Sequence, residues 1–207
     1  MKNRDYKQFG VGEYYHVYNR GNEKKDIFLD ESDYEFFLLK LKQNLFPNEF
    51  KNHRTPPMPD KSFSLISYCL MPNHFHLLVK QNRNIPVTKL LARVCTSYVM
   101  YFNKKYKRIG GLFQDQYKMV LVDDNNYLVW LSAYIHQNPK VAGLTEELKD
   151  YQWSSYREYI NGHTVICDTE VISSQFKSIQ QYTDFVDESF EVIKSKKEIK
   201  HLLLDTG

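Results

Sequence analysis

The centre of the chain contains the run LMPNHFHLLV at residues 70–79. Apolar residues on both sides of residues 71–73 predict two antiparallel strands joined by a tight turn, with the histidines at the start of the second strand. Because side chains alternate between the two faces of a strand, His74 and His76 share one face, with Cβ atoms roughly 6 to 7 Å apart. Two imidazoles at this spacing can bind one metal ion, although a bare His-x-His pair is more often half-buried sheet surface.

The segments around this hairpin predict alternating strands and helices. A capping box formed by Ser32 and Glu35 predicts the start of the first helix, Pro86 fits the first position of the second, and Pro139 interrupts the third. The prolines among polar residues at 47–62 predict a mobile loop. The expected order is β-α-β-β-α-β-α, with strands at 14–20, 63–70, 74–80 and 117–122 and helices that begin near residues 32, 86 and 126.

Without its last helix, this order is that of the α+β, ferredoxin-like (RRM-like) fold, in which two helices cover one face of an antiparallel sheet. The third helix has an apolar stripe of its own, which suits it to the open face. Residues 1–160 are expected to form the main domain, followed by an acidic, mainly helical C-terminal extension at 161–207. The extension could bind a partner, pack on the domain or shield its basic surface.

Composition limits the class of protein. The chain has 207 residues, 42% of them hydrophobic and 26% charged, which suits one globular domain with an appendage. Its three cysteines lack any Cys-x-x-Cys spacing, so reduced thiols are expected and a zinc-cysteine site is not. Residues 1–6 lack an apolar signal region, and no stretch approaches the roughly 18 apolar residues of a membrane span, so we expect a cytoplasmic protein without a membrane partner.

Charge is unevenly distributed along the chain. Residues 80–118 contain nine basic side chains and one acidic one, whereas residues 119–207 contain eight basic and fourteen acidic ones. The basic segment is also rich in tyrosine and phenylalanine, a mixture suited to a phosphate backbone with unstacked bases. A solvated helix face explains the composition equally well, but so one-sided a segment favours an interaction with nucleic acid.

Tyr134 and Asn138 are four residues apart on the third predicted helix, so their side chains lie on one face. If that face meets the histidine-bearing face of the sheet, a phenol and an amide oxygen approach His74 and His76. The alternative is that Tyr134 is an ordinary buried aromatic and Asn138 ends the helix.

Five motifs, taken in order, resemble the IS200-like, single-tyrosine transposases of the HUH (histidine, hydrophobic, histidine) superfamily, particularly their REP-associated branch. The resemblance extends from about residue 14 to residue 159. The motifs are HVYNRG at 16–21, MPNHFHLLV at 71–79, GLFQDQY at 111–117, YIHQNP at 134–139 and WSSY at 153–156.

The resemblance implies the roles of individual residues. Tyr134 is the expected nucleophile, and His74, His76 and Asn138 are the expected ligands of a divalent metal ion, Mg²⁺ or Mn²⁺. The expected substrate is single-stranded DNA with a hairpin, nicked and rejoined through a 5′-phosphotyrosine intermediate without a nucleotide cofactor. Relatives differ in whether they act as monomers or dimers, so a homodimer is a candidate assembly.

The chemistry explains why these residue types suit the task. A tyrosine has a pKa near 10, so only about one phenol in a thousand is ionised at neutral pH and attack on phosphate needs help. A divalent cation with an open coordination position can polarise the scissile phosphate and hold it in line with the phenol. Two imidazoles favour manganese or zinc over magnesium, which leaves the identity of the metal open.

Other tyrosines and histidines compete for these roles. Tyr127 lies seven residues before Tyr134 on nearly the same helix face, and Tyr117 lies near the fourth strand, so either could instead stack on a base. We prefer Tyr134 because only that register matches the family motif. His16 and His136 are excluded from the metal site, the first as a lone strand histidine and the second because it lies on another helix face.

Candidate DNA contacts follow from the clustering of basic and amide side chains. They are Arg20, Asn22, Lys24 and Lys25 after the first strand, Arg93 on the second helix, Lys104, Lys105 and Arg108 beyond it, and Gln114 and Gln116 before the fourth strand.

Two other functions compete with the transposase. A non-catalytic RNA-binding module would share the order of elements, but its glycine-aromatic motif is missing from the third strand. A hydrolytic phosphoesterase would use the histidines to activate water.

Overall fold

The sheet has four antiparallel strands in the order β2-β3-β1-β4, as seen in a computed structural model that describes residues 10–51 and 56–204. The strands are β1 at Tyr14–Arg20, β2 at Phe63–Met71, β3 at His74–Gln81 and β4 at Lys118–Val122. All four predicted strands are present, with ends that differ from the prediction by at most one residue. The predicted antiparallel α+β fold is therefore confirmed.

Two helices cover one face of the sheet. They are α1 at Glu31–Leu45 and α2 at Val87–Lys105. Their buried side chains, such as Phe37 and Tyr98, pack with Val17 and Leu77 of the central strands. This layer forms the larger of the two cores.

The starts of these helices differ from the prediction. The N-cap of α1 is Asp30 and not Ser32, because the Asp30 side chain accepts a hydrogen bond from the Asp33 backbone N–H and the Asp33 side chain accepts one from the Asp30 N–H. Two carboxylates therefore form the capping box, and they also suit the positive end of the helix dipole. Pro86 is the N-cap of α2, one position before the predicted place.

The third helix, α3 at Asn125–Val141, packs on the opposite face of the sheet, as its apolar stripe predicts. Asp124 caps it through a 2.7 Å hydrogen bond from the Tyr127 N–H. The prediction that Pro139 interrupts this helix is wrong, since the helix continues to Val141. A proline in the last turn removes only one backbone donor, and the Ala142 N–H still bonds to the carbonyl of Asn138 at 3.0 Å.

The chain after residue 160 packs on both cores. The extension contains the end of α4 at Tyr156–Asn161, then α5 at Glu170–Ser173 and the long α6 at Ile179–Leu204. Cys167 is buried in the first core and forms an isolated bridge with Leu65 of β2, while Tyr182 and Val186 of α6 are buried in the second. Packing on the domain is thus the outcome among the three alternatives, and the domain boundary at residue 160 stays a prediction.

The proline-rich stretch at 47–62 falls partly outside the described residues, which omit 52–55. Of the remainder, Pro47–Glu49 forms one turn of 3₁₀ helix and Met58 is buried in the first core, which differs from the mobile loop that was expected throughout. Within the described part of the chain, none of the helices combines the length and the apolar character that crossing a bilayer requires.

Candidate active site

The two predicted metal-binding histidines lie on a central strand, on the face that α3 covers. In the antiparallel register, His74 of β3 lies opposite Arg20 of β1, and His76 lies opposite Tyr18. The intervening Phe75 points into the other core, as strand alternation requires. The sheet thereby presents both imidazoles to the same helix.

Each imidazole is oriented by a hydrogen bond at Nδ1. The Nδ1 of His74 lies 2.6 Å from Oδ1 of Asn73, and the Nδ1 of His76 lies 3.0 Å from Nε2 of His16. A carboxamide oxygen only accepts, so His74 donates from Nδ1 and carries its lone pair on Nε2. Donation from His76 to His16 gives the same tautomer, which is the one that ligates a metal through Nε2.

His16 is buried beneath the site. Its side chain is 7% exposed, and burial lowers the pKa of the imidazole to about 4. The ring is therefore neutral near pH 7, and a neutral imidazole has one nitrogen that accepts a hydrogen bond. This makes His16 a suitable acceptor for the Nδ1–H of His76.

The donor set suits a divalent cation. Among the described residues there is no group of three or more His, Cys, Asp or Glu side chains that could hold one, so a third ligand to the histidine pair has to be of another type. Asn138 is fully buried and donates from Nδ2 to the Tyr134 carbonyl at 2.8 Å, so Oδ1 is the Asn138 atom that could bind a cation. Two imidazoles and a carboxamide make a neutral set that fits Mn²⁺ better than Mg²⁺ on ligand softness.

The structure brings Tyr134 to this histidine pair. Its ring meets the rings of His76 and His16 edge to face, with centroid distances of 5.7 and 6.2 Å. Burial raises the pKa of the phenol, the neighbouring phenols of Tyr18 and Tyr127 raise it further, and a hydrogen bond with the Asn138 side chain opposes them. The phenol is therefore protonated at neutral pH and needs electrostatic help to act as a nucleophile.

The competing tyrosines are placed differently. Tyr117 packs against the core formed by α1 and α2, on the opposite side of the sheet from His76. Tyr127 lies on α3 and is separated from Tyr134 by the ring of Trp130, which stacks on both.

His136 is fully buried, and its two ring nitrogens lie within 2.8 Å of the hydroxyls of Tyr182 and Ser155. These contacts occupy both nitrogens in the second core, which supports leaving His136 out of the metal site.

Several predicted DNA contacts gather at one end of the sheet, beside His74. The loop after β1 is joined to the segment before β4 by hydrogen bonds from the Gln114 N–H to the Arg20 carbonyl and from the Asn22 N–H to the Leu112 carbonyl, both 2.9 Å. The hairpin turn adds a bond from Asn73 Nδ2 to the Lys24 carbonyl at 3.1 Å. The exposed side chains at this end include those of Arg20, Asn22, Lys24, Lys25, Gln114 and Gln116, together with the acidic Glu23, Asp26 and Asp115. The Lys25 ammonium lies 2.6 Å from the Glu23 carboxylate.

The other four predicted contacts are not brought to the histidines. Arg93, Lys104 and Lys105 belong to α2, on the far side of the sheet, and Arg108 follows that helix. The Lys105 ammonium is held by Asp30 and Asp33 at 2.6 and 2.7 Å, which joins α2 to α1. The charge excess of residues 80–118 is thus divided between the two sides of the sheet.

Two residues of the site, Tyr18 and Lys118, were not predicted from the sequence, and His16 was considered only as a metal ligand and excluded. His16 and Tyr18 of β1 face α3 together with His76, and the ammonium of Lys118 lies 5.9 Å from the Tyr18 ring. Their alternation along β1 was a usable signal, because polar and aromatic side chains on one face of a central strand are uncommon in a core. Only the register between β1 and β3 connects them to the histidine pair.

Comparison with known proteins identifies the family and the fold. A family model described as "Transposase IS200 like" matches residues 13–138, more than half of the chain. A curated Haemophilus influenzae protein, provisionally named a REP-associated tyrosine transposase, is 26% identical over 121 residues, which cover 53% of this chain and 68% of that protein. A solved structure of a REP-associated tyrosine transposase bound to a REP hairpin covers 80% of this chain and 90% of its own, with a TM-score of 0.58 and 14% identity, and shows the same fold.

The matched residues include the histidine pair, Tyr134 and Asn138. The motif-based resemblance and the enzyme class that it implies are both confirmed. The chain belongs to the IS200-like transposase family.

Proposed function

We propose that this transposase nicks and rejoins single-stranded DNA through a covalent bond between Tyr134 and a 5′ phosphate. The observation that carries the proposal is the position of the Tyr134 ring, edge to face with His76 and 5.7 Å from it between centroids. A phenol beside an oriented histidine pair is the arrangement that phosphoryl transfer to tyrosine needs.

His74, His76 and Asn138 would hold the divalent cation, Mg²⁺ or Mn²⁺. When bound, the cation supplies positive charge that stabilises the negative charge on the phosphate as the phenol attacks. Asn73 and His16 keep the two imidazoles in the ligating tautomer. The residues thus prepare the site before DNA arrives.

The reaction exchanges one phosphodiester bond for another. The Tyr134 oxygen bonds to phosphorus and its proton passes to solvent, while the bond to the 3′ oxygen breaks and that oxygen takes a proton from solvent. Because the phosphotyrosine keeps the energy of the original bond, attack by another 3′ hydroxyl rejoins the DNA. No nucleotide cofactor is needed.

A DNA hairpin with unpaired flanks is the proposed substrate. Support comes from the solved relative of the same fold, which is bound to a REP hairpin, and from the basic and amide groups beside His74. Arg20, Lys24 and Lys25 would contact phosphates, and Asn22, Gln114 and Gln116 can hydrogen-bond either phosphates or base edges.

A covalent trapping experiment tests the proposal. The protein is incubated with Mn²⁺ and a pool of 3′-labelled hairpin oligonucleotides with randomised single-stranded flanks, and the products are separated under denaturing conditions. The labelled fragment retains the 5′ phosphate, so it should migrate with the protein.

Tyr134→Phe should abolish this labelled band, whereas Tyr127→Phe, the matched change on the same helix, should keep it. Cleavage that persists in Tyr134→Phe without any protein-linked DNA would instead indicate a hydrolytic phosphoesterase.

A further inference from the structure

A row of aromatic rings on α3 leads away from the nucleophile. Tyr127 and Trp130 stack with an interplanar angle of 16° and a centroid distance of 6.0 Å, and Trp130 and Tyr134 stack at 22° and 5.5 Å. The spacing of three and four residues keeps the three rings on one face of the helix. We call Tyr127, Trp130 and Tyr134 the aromatic row.

The outer end of this row is accessible. Tyr127 is 38% exposed and Trp130 is half-buried. Among the residues that the structure describes, neither is part of the two core clusters, whereas the apolar neighbours Leu128 and Leu131 on the same helix are. Packing of the core therefore does not account for these two rings.

A lysine of the C-terminal extension lies next to the aromatic row. The ammonium of Lys196 on α6 lies 5.0 Å from the centroid of the Trp130 ring. Aromatic rings that stack on bases, together with cations that contact phosphates, are the usual means by which proteins bind single-stranded nucleic acid without reading its sequence.

We propose that Tyr127 and Trp130, together with Lys196, form a subsite for unpaired nucleotides next to the phosphate that Tyr134 attacks. The inference rests on the proposed function, because that function puts a DNA strand at Tyr134. Seven residues of helix span about 10 Å, enough for about three stacked nucleotides at 3.4 Å each. The subsite would hold the flanking strand in place while its phosphate reacts, and its preference would be for single strands over duplex.

Binding without chemistry provides the test. Fluorescein-labelled dT15 is titrated with the full chain in EDTA, so that neither metal nor cleavage contributes, and fluorescence anisotropy gives the Kd. Tyr127→Ala and Trp130→Ala should each weaken binding by about tenfold, the loss of one stacked base. Tyr127→Phe and Trp130→Phe keep a ring and should stay within about twofold of wild type.

The contribution of the Lys196 charge is tested by the salt dependence of binding. Lys196→Ala should reduce the slope of log Kd against log salt by about 0.7, the value for one phosphate contact on a single strand. Phe190 and Lys194 offer matched controls on the same helix, since the Lys194 ammonium lies 5.8 Å from the Phe190 ring and neither contacts the aromatic row. Phe190→Ala and Lys194→Ala should leave the Kd and the slope unchanged.

Position along the strand is tested with abasic nucleotides. Single abasic sites near the cut should weaken binding of the wild type to a cleavable hairpin, and one of these losses should disappear in Tyr127→Ala. Unchanged dT15 affinity in Tyr127→Ala and Trp130→Ala, or an equal loss in the Phe190→Ala control, would overturn the subsite. Neither result affects the trapping test of Tyr134, so the two proposals can fail separately.

Discussion

His16 and His76 form a hydrogen bond across two neighbouring strands, with 3.0 Å between Nε2 of the first and Nδ1 of the second. Both side chains are buried, at 7% and 6% exposure. A partner of this kind fixes the tautomer and the ring orientation of a metal-binding imidazole. His16 would thus act as a positioning residue for the proposed metal site, outside the proposed set of ligands.

His16→Ala should weaken Mn²⁺ binding by about 10- to 100-fold, because His76 loses the partner that orients it. Isothermal titration of the DNA-free protein with Mn²⁺ measures this directly. His163 is exposed and far along the chain, so His163→Ala serves as the matched control and should bind Mn²⁺ like the wild type. Equal Mn²⁺ affinities for His16→Ala and the wild type would show that the His16 contact has no role in metal binding.

His136 should make the protein less stable in mild acid. Burial lowers the pKa of this imidazole to about 3, whereas in the unfolded chain it is close to 6.5. Between these values only the unfolded state binds the proton, so the free energy of unfolding falls as the pH drops below about 6.5. From this residue alone, the loss by pH 5 should be about 2 kcal/mol.

Urea denaturation of the wild type and His136→Gln between pH 7.5 and 5, without divalent metal, measures this contribution. The substitution will lower stability at neutral pH, so the comparison concerns the slope with pH, which should be shallower in the variant. Parallel slopes for the wild type and His136→Gln would show that folding does not lower the pKa of His136.

Gly21 should be essential to the loop that follows β1. A Cβ at this position would lie 2.0 Å from the carbonyl oxygen of Lys25 and 2.8 Å from a methyl group of Ile27, so the backbone of the loop would have to move. Gly21→Ala should lower the free energy of unfolding by about 1–3 kcal/mol and weaken hairpin binding, because Lys24 and Lys25 are displaced. Thermal denaturation and anisotropy with a labelled hairpin measure the two effects.

Gly111→Ala is the control for Gly21, since its nearest contact would be an ordinary 3.8 Å to the Phe113 carbonyl. It should change both stability and binding little. If Gly21→Ala also changes both little, the closeness of the Lys25 carbonyl does not require a glycine at position 21.

Lys105 should contribute to stability and not to DNA binding. Its ammonium pairs with Asp33, whose carboxylate is completely buried, and hydrogen bonding from Lys105 lowers the pKa of the exposed Asp30 to about 2. Lys105→Met leaves the Asp33 charge without its cation and should cost about 1–3 kcal/mol of stability. Urea denaturation measures the loss, and hairpin affinity should remain that of the wild type.

Arg20→Ala provides the opposite pattern, because Arg20 is exposed at the end of the sheet beside His74. It should weaken hairpin binding with little change in stability. If Lys105→Met lowers the affinity for the hairpin without changing stability, α2 is part of the DNA-binding surface.

Local patterns in the sequence were sufficient for most of the fold. Alternation predicts the strands, including the shared face of His74 and His76, and the four-residue spacing of Tyr134 and Asn138 puts both on the side of α3 that meets the sheet. These features depend on residues close in sequence, so propensity and periodicity capture them.

Features that depend on distant residues could not be predicted in the same way. The contact of His16 with His76 requires the register between two strands separated by sixty residues. The ion pair of Lys105 requires knowing which side of the sheet α2 takes, and a positive charge excess contains no such information. Composition therefore could not show that Lys105 pairs with Asp30 and Asp33, and residue spacing could not show that His16 contacts His76.

The long helix α6 bears on which of the two DNA ends moves during strand transfer. Tyr182 and Val186 of α6 hold α3 through hydrogen bonds to His136 and Gln137, both 2.7 Å, while the sheet supports α3 from beneath. Because α3 is packed between α6 and the sheet, we expect it to stay in place during the proposed reaction and not to carry a DNA end joined to Tyr134. The 5′ end joined to Tyr134 would then stay at the site, and the incoming 3′ end would have to move to it.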